Sequence, residues 1–371
     1  MLMLIALVLA GCASPAAPTA TLPAASQTAP TDTAVEPGQT AAPTSSGNPA
    51  SLTVMTHDSF LATQSVIAAF ESQNHVKVTF IKSGDAGAAL NRAILSKGAP
   101  IADVFYGVDN TFLSRALESG IYEAYNSPLL ANISAQYKLD PQNQALPVDY
   151  GDVCLNYDKA YFSIKKLPLP NSLEDLLKPE YKGLLVVTNP ATSSPGQAFL
   201  LATIVHFGPD KYLEYWKSLR DNGLVVVNGW ETAYYTNFSG SSGKGAQPLV
   251  LSYASSPAAE VVFASTPLTE SPIGSILAAG TCFRQIEFVG ILAGTKQLAL
   301  AQKFVDFMLS VPFQEDMPLQ MFVYPTNTQA KLPDAFTKYA QIAAEPAQMS
   351  PDEIAKNSDA WIKAWTDTVL H

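Results

Sequence analysis

A chain of 371 residues, 47% of them apolar, is long enough to build two domains with a core each. Its 32 acidic against 22 basic residues leave a net charge of −10 at pH 7. That balance excludes a nucleic-acid partner, which would require clustered Lys and Arg against phosphate, and it makes a cation the complementary small ligand.

The chain opens on an apolar run from Met1 to Leu9, about half of the ~20 residues that cross a bilayer, so residues 1–11 read as a removable signal segment and not as a membrane helix. The run ends in Leu9-Ala10-Gly11-Cys12, which resembles a bacterial lipobox. Cleavage before Cys12 would leave that cysteine to carry lipid, each buried acyl methylene contributing ~0.8 kcal/mol to a membrane anchor. Residues 12–50 are Pro, Ala, Thr, Ser and Gly with almost no large apolar side chain. Such a stretch cannot offset its ordering entropy and reads as an extended tether between membrane and folded body.

Folded structure is expected from Leu52. Leu52–Thr56 reads as a strand; a helix follows over Gln64–Ser72 with Val66, Ile67 and Phe70 on one face; residues 76–81 alternate with period two as a second strand. A helix from Ala86 to Ser96 is expected to finish in a left-handed cap at Gly98. Residues 103–107 form the next strand, with Asp109 or Asn110 capping the helix after it. The same rhythm restarts near mid-chain. Leu184–Thr188 is a strand, Thr192-Ser193-Ser194-Pro195-Gly196 offers caps and a first-turn proline for an amphipathic helix through Phe207, and Leu224–Val227, a helix from Glu231 and the strand Leu249–Tyr253 continue it. The last third reads as mostly helical, with Leu298–Leu309 and a final helix carrying Ile354, Trp361 and Trp365 as packing residues. Alternating strands and helices imply α/β units with sheets covered on both faces.

In such sheets the ligand lies beyond the carboxyl ends of the strands, where loops enter helix N-termini. Six segments meet that rule: His57-Asp58-Ser59, Gly84-Asp85-Ala86-Gly87, Gly107-Val108-Asp109-Asn110, Thr192-Ser193-Ser194, Gly229-Trp230-Glu231 and Tyr253-Ala254-Ser255-Ser256. Enzyme signatures are missing by comparison: there is no GxSxG, P-loop, HExxH or CxxC, and His57, His75, His206 and His371 are scattered without ligand spacing. The chain therefore reads as a binding protein and not an enzyme, with no cofactor. Cys154 and Cys282 form an even pair in a compartment that permits disulfides, and both a bridge and two separate buried thiols remain open.

At these loops the chain resembles the periplasmic thiamine-binding proteins, in the ferric-ion and thiamine branch of two-lobed ABC-importer receptors. The resemblance rests on Thr56-His57-Asp58-Ser59-Phe60, Ala102-Asp103-Val104, Pro147-Val148-Asp149-Tyr150-Gly151, Pro190-Ala191-Thr192-Ser193-Ser194-Pro195-Gly196, Gly229-Trp230-Glu231-Thr232-Ala233-Tyr234, Leu251-Ser252-Tyr253-Ala254-Ser255-Ser256 and Tyr324-Pro325, which run in order from about residue 52 to 365. It implies an α/β, two-lobed type II periplasmic-binding-protein fold: residues 51–147 with 258–371 as one lobe, 148–257 as the other, and hinge crossings near Val148–Tyr150 and Tyr253–Ser256.

What the resemblance implies for function is capture of thiamine, a thiamine phosphate or a related cationic heterocycle by a monomeric, lipid-anchored receptor that delivers it to an ABC permease. The implied contacts are Asp58, Asp85, Asp149, Thr192, Ser193, Trp230, Tyr234, Tyr253 and Ser255. Aromatic faces would take the cation, Asp85 would oppose its charge, and Thr192 with Ser193 would hold a phosphate or hydroxyl. Three departures stand out. His57 replaces a family tyrosine, Leu61-Ala62-Thr63-Gln64 stands where a tryptophan is usual, and Met321-Phe322-Val323 precedes Tyr324 in place of another. Ferric-ion binding is the alternative, carried by the adjacent phenols Tyr234-Tyr235 with His57 as hard-metal ligands. No metal site is assigned.

Overall fold

In the computed structural model, which describes residues 49–241 and 244–371, the strand-like runs assemble into one mixed sheet. The expected signal segment, Cys12 and nearly all of the tether lie outside these residues. The strands are β1 (Ala50–Thr56), β2 (Val76–Lys82), β3 (Val104–Asp109), β4 (Tyr122–Glu123), β5 (Leu146–Asp158), β6 (Leu185–Thr188), β7 (Val225–Val227), β8 (Leu249–Tyr253), β9 (Ile273–Ile276), β10 (Phe283–Leu292) and β11 (Tyr324–Pro325). Their order is β2-β1-β3-β10-β5-β8-β6-β7, with β4 on β10 and both β9 and β11 on β5.

The trios β2-β1-β3 and β8-β6-β7 are each parallel. Of these strands, β3 and β6 are buried along their whole length, because helices cover both faces of a parallel sheet. The antiparallel strands β10 and β5 join the trios. Leu146 and Val148 of β5 lie in the first hydrophobic core, whereas Val153 and Leu155 lie in the second. β10 makes the same passage in reverse, with Phe283 in the second core and Ile286 in the first. Two strands thus carry the chain between two cores, and the return crossing runs through β10. Cys154 and Cys282 are bridged, tying β5 to the residue before β10.

Several local expectations are corrected. The helix Ala86–Leu95 stops at Ser96, whose hydroxyl donates to the Arg92 carbonyl, so Gly98 is not used as a left-handed cap. Neither Asp109 nor Asn110 caps the helix Leu113–Ser119; the Asp109 carboxylate instead accepts from Thr111 and Gln285. The helix Ser194–Phe207 is not amphipathic: every residue from Ser194 to Ile204 is buried, as in a helix enclosed on all sides. The helix expected from Glu231 is a short π-helical segment, Thr232–Asn237.

The last third, read as mostly helical, holds the central strand β10. Arg284, Gln285 and Glu287 break its apolar run and mask the pattern. The final helix Pro351–Val369 starts on Ser350, whose hydroxyl accepts from the Glu353 amide. It sets Trp365 edge-on to Trp216 at 5.4 Å and buries Ile354, Trp365 and Val369 in the second core. Trp361 is half-buried against the same core. Among the described residues, no helix is long and apolar enough to cross a membrane.

Candidate functional site

A cavity of about 190 Å³ opens where elements of the two cores meet. His57 follows β1, Asp85 follows β2, Ser194 and Pro195 follow β6, Trp230 and Glu231 follow β7, and Tyr253 ends β8, and all of these line it. Five strand ends converge here because parallel strands present their carboxyl ends on one side. Glu287 of β10, with Met321, Phe322 and Val323, completes the first-core side.

Trp230 is the best-fixed aromatic of this cavity. Its indole Nε1 donates to Ser252 Oγ at 2.8 Å, and its ring stacks on Tyr234 at 4.9 Å with planes 19° apart. Tyr234 is itself buried, its hydroxyl donating to Glu260 at 2.9 Å. Tyr235, half-exposed and edge-on to Trp230 at 5.5 Å, lines the cavity in its place. Tyr253 closes the aromatic wall and donates to Gln285 Oε1 at 2.8 Å. A half-buried indole held at its edge and backed by a second ring is a rigid platform for a flat or cationic ligand.

Opposite stand the acids. His57 Nε2 lies 3.4 Å from Glu287 Oε1, and the Tyr106 hydroxyl lies 3.1 Å from the other Glu287 oxygen and 2.6 Å from Asp149. Glu287 and Asp149 are register partners on β10 and β5, so their carboxylates share one buried site. Two such groups cannot both ionise there. Burial and the Glu287 charge hold the Asp149 carboxyl well above the usual range, so it keeps its proton. Burial also pushes Glu287 upward, but His57 outweighs it and Glu287 stays ionised. For His57, burial favours the neutral ring, yet Glu287, then Asp85 and Asp58, more than offset this and raise its pKa above the ordinary value. Burial lifts Asp109, the register partner of Glu287 on β3, to about 7.

Asp85 bridges the cleft. Its Oδ1 accepts from the Ala86 amide at 2.7 Å as a helix cap, and its Oδ2 accepts from the Trp230 amide at 2.9 Å from the other side. Burial raises its pKa against these bonds. Beside it, the Gly87 and Ala88 amides donate to the Thr192 carbonyl at 3.1 and 3.2 Å. Gly87 permits that approach: a Cβ there would come 2.9 Å from the Ala191 carbonyl.

Of the expected contacts, Asp85, Trp230 and Tyr253 line the cavity. Asp58 accepts from the Gly84 amide at 2.8 Å and ties two loops together. Asp149 sits behind Glu287, and Tyr234 behind Trp230. Thr192 turns its hydroxyl onto the Asn228 carbonyl at 2.7 Å, Ser193 is wholly buried, and Ser255 donates to the Phe322 carbonyl at 2.5 Å. The positions of the departures do face the cavity: Leu61, His57, and Met321 to Val323 all line it. Glu287 and Lys82 were not anticipated. The only mark of Glu287 was a lone acid between Ile286 and Phe288.

The model of the bacterial extracellular solute-binding protein family matches residues 99–344. A thiamine-binding periplasmic protein of Escherichia coli K12 is 31% identical over 86% of this chain and 93% of its own length. Among solved structures, a periplasmic thiamin binding protein superposes with a TM-score of 0.76 at 29% identity, covering 86% of this chain and 96% of that one. A ferric binding protein from Campylobacter jejuni shares the fold at a TM-score of 0.69 and 19% identity, over 85% and 99% of the two chains. The architecture is that of the type II periplasmic binding proteins.

Proposed function

Since this chain belongs to the bacterial extracellular solute-binding proteins, receptors that serve ABC import, we propose that its cleft captures thiamine or a thiamine phosphate and presents it to a permease. The observation that carries the reading is Trp230. It is pinned by Ser252, backed by Tyr234, and set in the same cavity as Asp85, Glu231 and Glu287. A thiazolium against that ring gains both a π face and nearby carboxylates. The relatives that carry the name thiamine-binding support the choice of ligand. The ferric alternative finds less support in the geometry: the Tyr234 and Tyr235 rings stand 86° apart and the Tyr234 hydroxyl is held by Glu260.

Asp85, Trp230 and Tyr253 are the contacts we assign, with Tyr235 and Glu287 added. We place the moving bodies on either side of β5 and β10, with residues 51–147 in one and 148–257 in the other. The C-terminal helix follows the core that buries Trp365. The receptor is read as a monomer held to the membrane through lipidated Cys12, so a Cys12→Ala variant is expected in the soluble fraction. Calorimetry of the purified protein with thiamine tests the ligand. Saturable binding is expected, weakened about thirtyfold in Trp230→Ala for a loss of about 2 kcal/mol. Absence of binding at high micromolar thiamine refutes the reading.

A further inference from the structure

We propose that His57 and Glu287 form a charge exchanger at the floor of the cleft, in which the bound cation replaces the His57 proton as counter-charge to Glu287. The inference rests on the reading that the ligand is a heteroaromatic cation.

Geometry carries it. His57 lines the cavity yet is 7% exposed, and its Nε2, 3.4 Å from Glu287 Oε1, has no hydrogen-bond partner. At that separation the pair is held chiefly by charge, with the nitrogen facing the carboxylate whose charge it balances. The ring cannot swing away. Gly107 lies beneath it at φ +110°, and a Cβ at that position would fall 2.3 Å from His57 Cδ2. Tyr106 packs on the other side, with ring centroids 5.6 Å apart. Glu287 is equally fixed by the Tyr106 hydroxyl, and it is the ionised member of its pair with Asp149.

The groups facing His57 come from every neighbouring element: Glu287 on β10 with Asp149 behind it on β5, Tyr106 on β3, Asp85 after β2, and Asp58 beside it in its own loop. Lys82 at the end of β2 is, among the described residues, the one other cation lining the cavity. Asp109 on β3 is the register partner of Glu287 and accepts from Gln285.

The sign follows from these neighbours. In the empty cleft, three carboxylates favour the imidazolium and keep His57 protonated above its usual range. A cation in the same cavity opposes that second positive charge, so the proton leaves as the ligand enters. By linkage, cation affinity then rises with pH, by at most about tenfold per pH unit for one proton, until the free receptor has lost the His57 proton. His57 is thus a specificity-determining residue. It balances the Glu287 charge before the ligand arrives and reserves that charge for a cation that displaces the proton.

The test is calorimetry of the whole protein with thiamine at about pH 7 in buffers of different ionisation enthalpy, repeated between about pH 6 and 8.5. Net proton release on thiamine binding, up to one per thiamine, is expected, with tighter binding at higher pH. His57→Gln is expected to bind thiamine with no proton release and a flat profile. In the unmodified protein, imidazole NMR is expected to show the His57 titration moving to lower pH on thiamine addition, a readout that does not depend on the variant folding. Binding without proton release, release that persists in His57→Gln, or an unmoved His57 titration overturns the exchange alone. Absence of thiamine binding at every pH overturns the ligand reading, and the exchange with it.

Discussion

Asp85 performs two tasks with its two oxygens, and they can be separated. Oδ1 accepts from Ala86 within one side of the cleft, while Oδ2 accepts from the Trp230 amide on the other. Asp85→Ala removes both. The cap is worth about 1 kcal/mol of stability. The second bond, to a charged acceptor, is worth about 1.5–3 kcal/mol and acts only when the cleft is closed. Thiamine affinity should therefore fall about 10- to 150-fold. Asp85→Ser keeps a good cap but is too short to reach Trp230, so its urea midpoint should recover while its affinity does not. The Gly87 and Ala88 amides still reach the Thr192 carbonyl in both variants, so closure is weakened and not abolished. Small-angle scattering of the ligand-free proteins isolates closure from loss of a ligand contact, and both variants should give a larger radius of gyration than the parent. An Asp85→Ser protein with unchanged scattering and unchanged affinity would refute the cross-cleft role.

Reducing the Cys154–Cys282 bridge, which spans a sequence separation of 128, should lower stability by about 5 kcal/mol in the chain-entropy picture. An unchanged urea midpoint with and without dithiothreitol would contradict this. Asp109, lifted by burial from 3.8 to about 7, binds its proton more tightly folded than unfolded. Its stabilising contribution is complete below about pH 4 and is lost as pH rises to 7. Asp109→Asn should remove that component from a pH series of urea melts, and a variant whose profile parallels the parent would show that Asp109 does not titrate there.

The elements carried by clear periodicity were legible from the chain. β1, β2, β6 and β8 and the helices Gln64–Asn74 and Leu298–Leu309 fall within two residues of their expected limits, because alternation and 3.6-residue spacing are local properties. The rule that ligands sit at carboxyl ends of strands then selected the loops bearing His57, Asp85, Trp230 and Tyr253, all of which line the cavity. β10 was not legible. Its polar residues Arg284, Gln285 and Glu287 are satisfied by partners on other strands, Asp152, Asp109 and Tyr106, that local spacing does not reveal.

Local pattern alone determined that this chain alternates strands with helices and sets its loop chemistry at strand ends. Which loop residues face the cleft was decided by tertiary structure. Tyr234 and Tyr235 are neighbours in the chain, yet packing buries one beneath Trp230 and turns the other toward the cavity. Cys154 and Cys282, equally consistent with two thiols, become a bridge because β5 and β10 bring their Cα atoms within 4.4 Å. The charge state of the floor belongs to the same class. Glu287, Asp149 and His57 are far apart in sequence, and only their convergence at a buried site fixes which of them carries a proton.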